Sequence, residues 1–116
     1  EEKADFEKAP NGIIGLETCL ALGISELVDT GRLTLMQLVD RMSLAPARLY
    51  GLDAGYLAEG GPADLVLFDP AEEWTPERFY SRSQNSPFVG KTLKGKIHAT
   101  ICRGRVVYPF DCGKAD

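Results

Sequence analysis

"GYLAEGGPADLVLFDP", residues Gly55 to Pro70, is where the chain changes character. Glycines and a proline give way to Leu65, Val66, Leu67 and Phe68, a run of residues that favour strands. Four apolar residues with no polar alternation predict a strand covered on both faces. Asp69-Pro70 predicts its end, because proline brings no N–H to a ladder. The glycines of "AEGGPAD" read as a turn ahead of that strand. No Gly-x-Gly-x-x-Gly and no phosphate-loop pattern occurs to support nucleotide binding.

Upstream of this stretch the spacing is helical. From Gly15 to Val28 apolar residues recur at Leu16, Leu20, Ile24, Leu27 and Val28. Gly23 weakens that helix by about 1 kcal/mol relative to alanine, and Gly31 suits a C-terminal cap. Thr34 with Gln37 three residues later spells a capping box. Behind it Leu35, Leu38, Val39 and Met42 form one apolar face. A short third helical turn follows, with Pro46 at its first helical position and Gly51 at its end.

Downstream, residues 71 to 94 read as irregular, with Trp74 as an apolar anchor. Then Ile97, Ala99 and Ile101 alternate with Lys96, His98, Thr100 and Cys102, which predicts a strand. Arg103-Gly104 supplies a two-residue hairpin turn, and Val106 to Tyr108 return. The layout is helices first and a small β module after, with a boundary near Gly51 to Leu57. No internal repeat is present.

A chain of 116 residues is long enough for one ordinary domain. Its 44% apolar and 26% charged content argues against disorder. A net charge of -4 without a basic stripe argues against nucleic acid as a partner. Apolar runs such as Leu65 to Phe68 are too short to span a bilayer, so no membrane partner is expected. The cysteines are Cys19, Cys102 and Cys112. An odd count without Cys-x-x-Cys fits a reducing, cytoplasmic setting better than a disulfide scaffold. The chain opens at Glu1 within "EEKADFEKAP", with no start signal, and reads as a piece of a longer protein.

Catalytic groups are scarce. His98 is the one histidine, set mid-strand opposite Ile97 and Ile101, and reads as a sheet-surface residue. Glu1, Glu2, Asp5 and Glu7 read as a solvated charge run. One histidine and three scattered cysteines do not make a zinc site. Taken alone, these residues carry no reaction. The Pro10-Asn11-Gly12 turn in "FEKAPNGIIGLET" (Phe6 to Thr18) has two readings. It is ordinary punctuation ahead of a helix, or a loop that offers backbone N–H groups to a ligand.

Three segments carry a family likeness. "FEKAPNGIIGLET" resembles part of type I dihydroorotases, members of the metal-dependent amidohydrolase superfamily. "LAPARLYGLDAGYLAEGGPADLVLFDP" resembles that superfamily's passage from barrel to β module, shared with hydantoinases and allantoinases. "SRSQNSPFVGKTLKGKIHATICRGRVVY" (Ser81 to Tyr108) resembles the dihydroorotase C-terminus through Ser83-Gln84-Asn85-Ser86-Pro87-Phe88. The first and third segments are the narrower signals.

The resemblance implies an α/β fold: the C-terminal helices of a (β/α)8 barrel over residues 1–50, then part of a small β-sandwich module over residues 51–116. It implies a zinc-dependent cyclic amidohydrolase that interconverts N-carbamoyl-L-aspartate and L-dihydroorotate in pyrimidine synthesis. The zinc ligands and the catalytic aspartate are expected upstream of Glu1, so the chain alone is expected to be inactive. Asn11 and Gly12 are the implied substrate-binding residues, acting through the backbone near the substrate carboxylate. Asparagine departs from the phenylalanine or proline frequent at that position. The implied partners are the N-terminal remainder of the enzyme, a second copy, or aspartate transcarbamoylase. The alternatives are an allantoinase- or dihydropyrimidinase-like enzyme, or a non-catalytic dihydroorotase-like partner of aspartate transcarbamoylase.

Overall fold

The computed structural model describes residues 11–108. The helical part begins with α1, Cys19–Gly23, which runs directly into a π-helical turn, Ile24–Val28. There the Asp29 N–H donates to the Ile24 carbonyl five residues back, at 2.9 Å. The segment is therefore shorter than its apolar spacing predicts. Residues 16–18 form a turn, and Leu16 lies 97% exposed rather than on the buried face.

The second helix, α2, Leu35–Met42, starts as the sequence predicts. The Gln37 N–H donates to Thr34 Oγ1 at 3.2 Å, and the Thr34 N–H donates to Gln37 Oε1 at 2.8 Å. Two of the orphan donors at the helix start are thus satisfied reciprocally. Leu38 is the buried residue of this helix. A Cβ on Gly23 would stand 2.9 Å from Leu38 Cδ1. The residue that weakens the first helix thus lets the second approach it.

The third helix, α3, Leu44–Tyr50, begins two residues before Pro46 rather than at it. Proline is still tolerated there, because the N–H groups of the first turn have no intrahelical acceptor. Gly51 closes the helix in the left-handed conformation, as expected.

Three antiparallel strands follow in the order β1-β2-β3: β1, Leu65–Trp74; β2, Leu93–Cys102; β3, Arg105–Tyr108. The β2–β3 turn is the predicted Arg103-Gly104, with φ of 50° and 73°. Positive φ at both positions is the type I′ requirement, and the glycine meets it without strain. Its tip is tied down by Arg103 N–H to Asp64 Oδ1 (2.7 Å) and Gly104 N–H to the Ala63 carbonyl (3.0 Å). Those bonds are what the "PAD" of "AEGGPAD" does.

Strand β1 departs from expectation twice. It does not stop at Asp69-Pro70, and residues 71–74 are not irregular. Between Asp69 and Glu73 the register slips: Asp69 pairs with Lys96 and Glu73 with Lys94. The extra residues form a bulge around Pro70, which needs no ladder donor there. The Asp69 carboxylate accepts from the N–H groups of Ala71 (2.8 Å) and Glu72 (3.2 Å) and holds that bulge. The strand is also not covered on both faces, since Val66 and Leu67 are 51% and 43% exposed. The half-buried Trp74 closes the strand, and its indole N–H has no acceptor among the described residues.

Helices and sheet meet at one place. Gly95 of β2 is buried at φ +90°, and a Cβ there would stand 2.5 Å from Ile24 Cδ1 and 3.6 Å from the Ala21 Cα. Ile24 is 1% exposed and Ala21 2% exposed. Lys94 Nζ and Asp29 Oδ2, 3.2 Å apart, bridge the rim of this contact. The buried apolar set among the described residues is small: Ala21, Ile24, Leu38, Ala47, Phe79, Leu93 and Ala99. The Cα radius of gyration is 16.6 Å, against about 13 Å for a compact chain of 100 residues.

In the intact protein, Ile24→Ala is expected to cost about 2–5 kcal/mol through the cavity it leaves. Gly95→Ala is expected to cost about 3 kcal/mol through overpacking and a left-handed alanine. Urea denaturation followed by circular dichroism checks both.

Candidate functional site

Two loops meet beside the helix–sheet junction. One is residues 11–18. Gly12 has φ +75°, is exposed, and has open space where a Cβ would stand. The other is residues 79–88, which its own polar side chains shape. Gln84 accepts from the Phe79 N–H at 3.0 Å and donates through Nε2 to the carbonyls of Phe79 and Ser81, both at 3.0 Å. Phe79 is buried beneath it. Ser83 Oγ accepts from the Asn85 N–H, and Ser86 Oγ from the Phe88 N–H, both at 3.3 Å. Serine and glutamine here replace the ladder bonds that a loop lacks.

The loops are joined at two points. The Glu17 carboxylate accepts from the Tyr80 N–H through Oε2 and from the Ser81 N–H through Oε1, each at 3.0 Å. Charge-assisted bonds of this kind are about twice as strong as neutral ones. Asn85 supplies the second junction. Its carbonyl accepts from the Ile14 N–H at 3.0 Å, and its side-chain amide donates to the Gly12 carbonyl. Next to Glu17, Thr18 is 1% exposed and donates through Oγ1 to the Gly15 carbonyl at 3.4 Å.

The predicted residues Asn11 and Gly12 therefore lie in an exposed turn that is tethered from one side. Asn85 occupies the Gly12 carbonyl. The N–H groups of Gly12 and Ile13 have no acceptor among the described residues. Two successive free donors suit a carboxylate or carbonyl oxygen. Among the described residues the two loops bring no nucleophile–base pair together. Periodicity did not signal the junctions, because the partners stand 63 to 73 positions apart.

His98 is not a bare surface residue. Its Nε2–H donates to Glu72 Oε2 at 2.6 Å, while Lys96 Nζ donates to Glu72 Oε1 at 2.8 Å. No group of three or more metal-ligating side chains occurs among the described residues. The Glu72–His98 pair does not fit zinc either: it lacks a third ligand, and the Lys96 ammonium on the same carboxylate would repel a cation. Cys19 and Cys102 are free and exposed. The charge run at Glu1, Glu2, Asp5 and Glu7, and Cys112, lie outside the described residues. A shallow cavity of about 230 Å³ on α2, lined by Leu33, Met36, Gln37, Asp40 and Arg41, shares no residue with the two loops. No helix among the described residues is long and apolar enough to cross a membrane.

Glu72 yields a pH prediction. The Lys96 hydrogen bond holds its carboxyl below the usual value; partial desolvation opposes this, and the His98 hydrogen bond adds to it. A lowered folded-state value means that ionised Glu72 stabilises the fold above the ordinary carboxylate range. That contribution fades as pH falls through the lowered value. The difference in melting temperature between the parent and Glu72→Gln is expected to be open at about pH 7 and to shrink as pH falls below the ordinary carboxylate range. Thermal melts across that range check it.

Residues 10–107 match the model of the amidohydrolase family. The dihydroorotase of Clostridioides difficile (strain 630) is 56% identical over 108 residues, 93% of this chain and 26% of that protein. The dihydroorotase of Streptococcus pyogenes serotype M1 is 58% identical over 106 residues, 90% of this chain and 25% of that protein. The chain thus spans about a quarter of the length of these curated relatives. Among solved structures, the L-hydantoinase (dihydropyrimidinase) from Arthrobacter aurescens superposes with a TM-score of 0.79 at 37% identity. That match covers 91% of this chain and 24% of that one. The D-hydantoinase (dihydropyrimidinase) from Thermus sp. gives a TM-score of 0.76 at 31% identity, covering 90% and 24%.

Proposed function

Because this chain belongs to the amidohydrolase family, we propose that it supplies the C-terminal quarter of a dihydroorotase. The full-length protein interconverts N-carbamoyl-L-aspartate and L-dihydroorotate, in the cytoplasm and in the service of pyrimidine synthesis. One observation carries this reading. The two segments with the narrower dihydroorotase likeness, 11–18 and 83–88, are bonded to each other through Asn85. Identity supports it too: 56% to a dihydroorotase against 37% to a hydantoinase.

In this reading residues 1–50 end a (β/α)8 barrel and residues 51–116 belong to a β-sandwich module. The chain's own part in the reaction is binding. The Gly12 and Ile13 N–H groups donate to the substrate carboxylate, while Asn85 keeps the Gly12 carbonyl turned away from that negative charge. Zinc supplies the Lewis acidity that cyclic amide hydrolysis needs, and residues outside those described hold it. The remainder of the enzyme is the first partner; a second copy or aspartate transcarbamoylase is a further one. The exposed Val66, Leu67, Val106 and Val107 support a covering partner. The 116-residue chain alone is inactive.

A second reading, a hydantoinase- or dihydropyrimidinase-like enzyme, is favoured by the solved structures of matching shape. Turnover by the full-length protein separates the two. Dihydroorotate is expected to be converted at least about tenfold more efficiently than hydantoin or allantoin, because a site that pairs a substrate's polar groups discriminates strongly against analogues that lack them. The reverse order favours the second reading. A chelator is expected to abolish turnover, and added zinc to restore it. Gly12→Val places a branched side chain in a left-handed turn at the proposed carboxylate contact. It is expected to raise KM for dihydroorotate about tenfold, the worth of one hydrogen bond to a charged group. An unchanged KM removes the turn from the site.

A further inference from the structure

We propose that Asn85 is a positioning residue for the Asn11–Gly12 turn, carried on a loop that Glu17 anchors. The inference rests on the reading of that turn as a substrate contact. Asn85 grips the turn twice, by its side-chain amide on the Gly12 carbonyl and by its own carbonyl on the Ile14 N–H. The two bonds flank Ile13. They fix the peptide planes on either side of it, so the Ile13 N–H, in the same plane as the Gly12 carbonyl, is presented in one orientation. Without the amide donor, the Gly12–Ile13 peptide is free to flip. A flip would replace an N–H donor with a carbonyl oxygen at the place where a carboxylate binds.

The grip needs a fixed base, and the loop provides one. Gln84 bonds to Phe79 and Ser81 from within the loop, and Glu17 bonds to the N–H groups of Tyr80 and Ser81 from outside. Asn85 itself is half-buried, with its N–H satisfied by Ser83 Oγ. Its side chain is thus committed to the turn and does not enter the open space beside Gly12, where nothing lies within 4 Å of a Cβ. That separates a residue acting through the turn from one that touches substrate.

The test uses the full-length protein with Asn85→Asp and Asn85→Ala. Aspartate has the shape of asparagine but brings a second acceptor to the Gly12 carbonyl instead of a donor. Both variants are expected to raise KM for dihydroorotate about tenfold with kcat within about twofold of the parent. Asn85→Asp is also expected to leave the melting temperature within a few degrees. Parental KM in both variants overturns the inference. So does a common fall of kcat, KM-normalised rate and melting temperature, which marks a merely structural role. Gly12→Val distinguishes the two levels. If it raises KM while the Asn85 variants do not, the positioning role alone fails. If it too keeps the parental KM, the functional reading fails and the inference with it.

Discussion

The seat of Ile24 on Gly95 holds the two halves of the molecule in register. Helix and strand approach here without a side chain on the strand side, so the isoleucine reaches the sheet backbone and loses nearly all contact with water. Burying a side chain of this size is worth about 1.5–3 kcal/mol. That is a large share for a chain whose described core is seven residues, three of them alanine. The surrounding Asp29–Lys94 pair is exposed on both sides and adds little. Helix α1 and the π-helical turn after it are therefore seated on the sheet mainly by one apolar contact made possible by one glycine.

The loops inherit that orientation. Residues 11–18 lead directly into α1, and residues 79–88 lead into β2. When Ile24 sits on Gly95, the ends of both loops are placed close together, and Glu17 and Asn85 join them. Burial supplies the stability at the junction, while the hydrogen bonds supply the shape of the turn. This division suits a binding loop, because the turn at Gly12 stays exposed while its frame is fixed.

Local physics was legible in the sequence wherever a few adjacent residues decide. The Thr34–Gln37 capping box, the Gly51 cap and the Arg103-Gly104 hairpin are each settled by their own turn chemistry, and each is found. Tertiary effects were not. The Asp69-Pro70 pair reads as a stop, but the Asp69 carboxylate bonds to the two N–H groups that follow proline and converts the stop into a bulge. Leu16 fits the helical spacing, but the chain is still turning there and the side chain faces water. Continuous apolar residues in β1 read as a strand buried on both faces, and the consecutive Val66 and Leu67, which point to opposite faces, are both exposed among the described residues. Asn11 and Gly12 are singled out by resemblance alone, whereas Asn85, which bonds to the Gly12 carbonyl, stands 73 positions after Gly12, beyond the reach of any periodicity.

Amide hydrogen exchange on the intact protein tests most directly whether the two loops form one unit. The Ile14 N–H donates across the Asn85 junction, and the Tyr80 and Ser81 N–H groups donate across the Glu17 junction. A common opening event gives all three amides the same protection, and Ile24→Val, which loosens the seat on Gly95, lowers it equally at all three. Independent opening, with Ile14 exchanging as in an unfolded chain while Tyr80 and Ser81 stay protected, would contradict it.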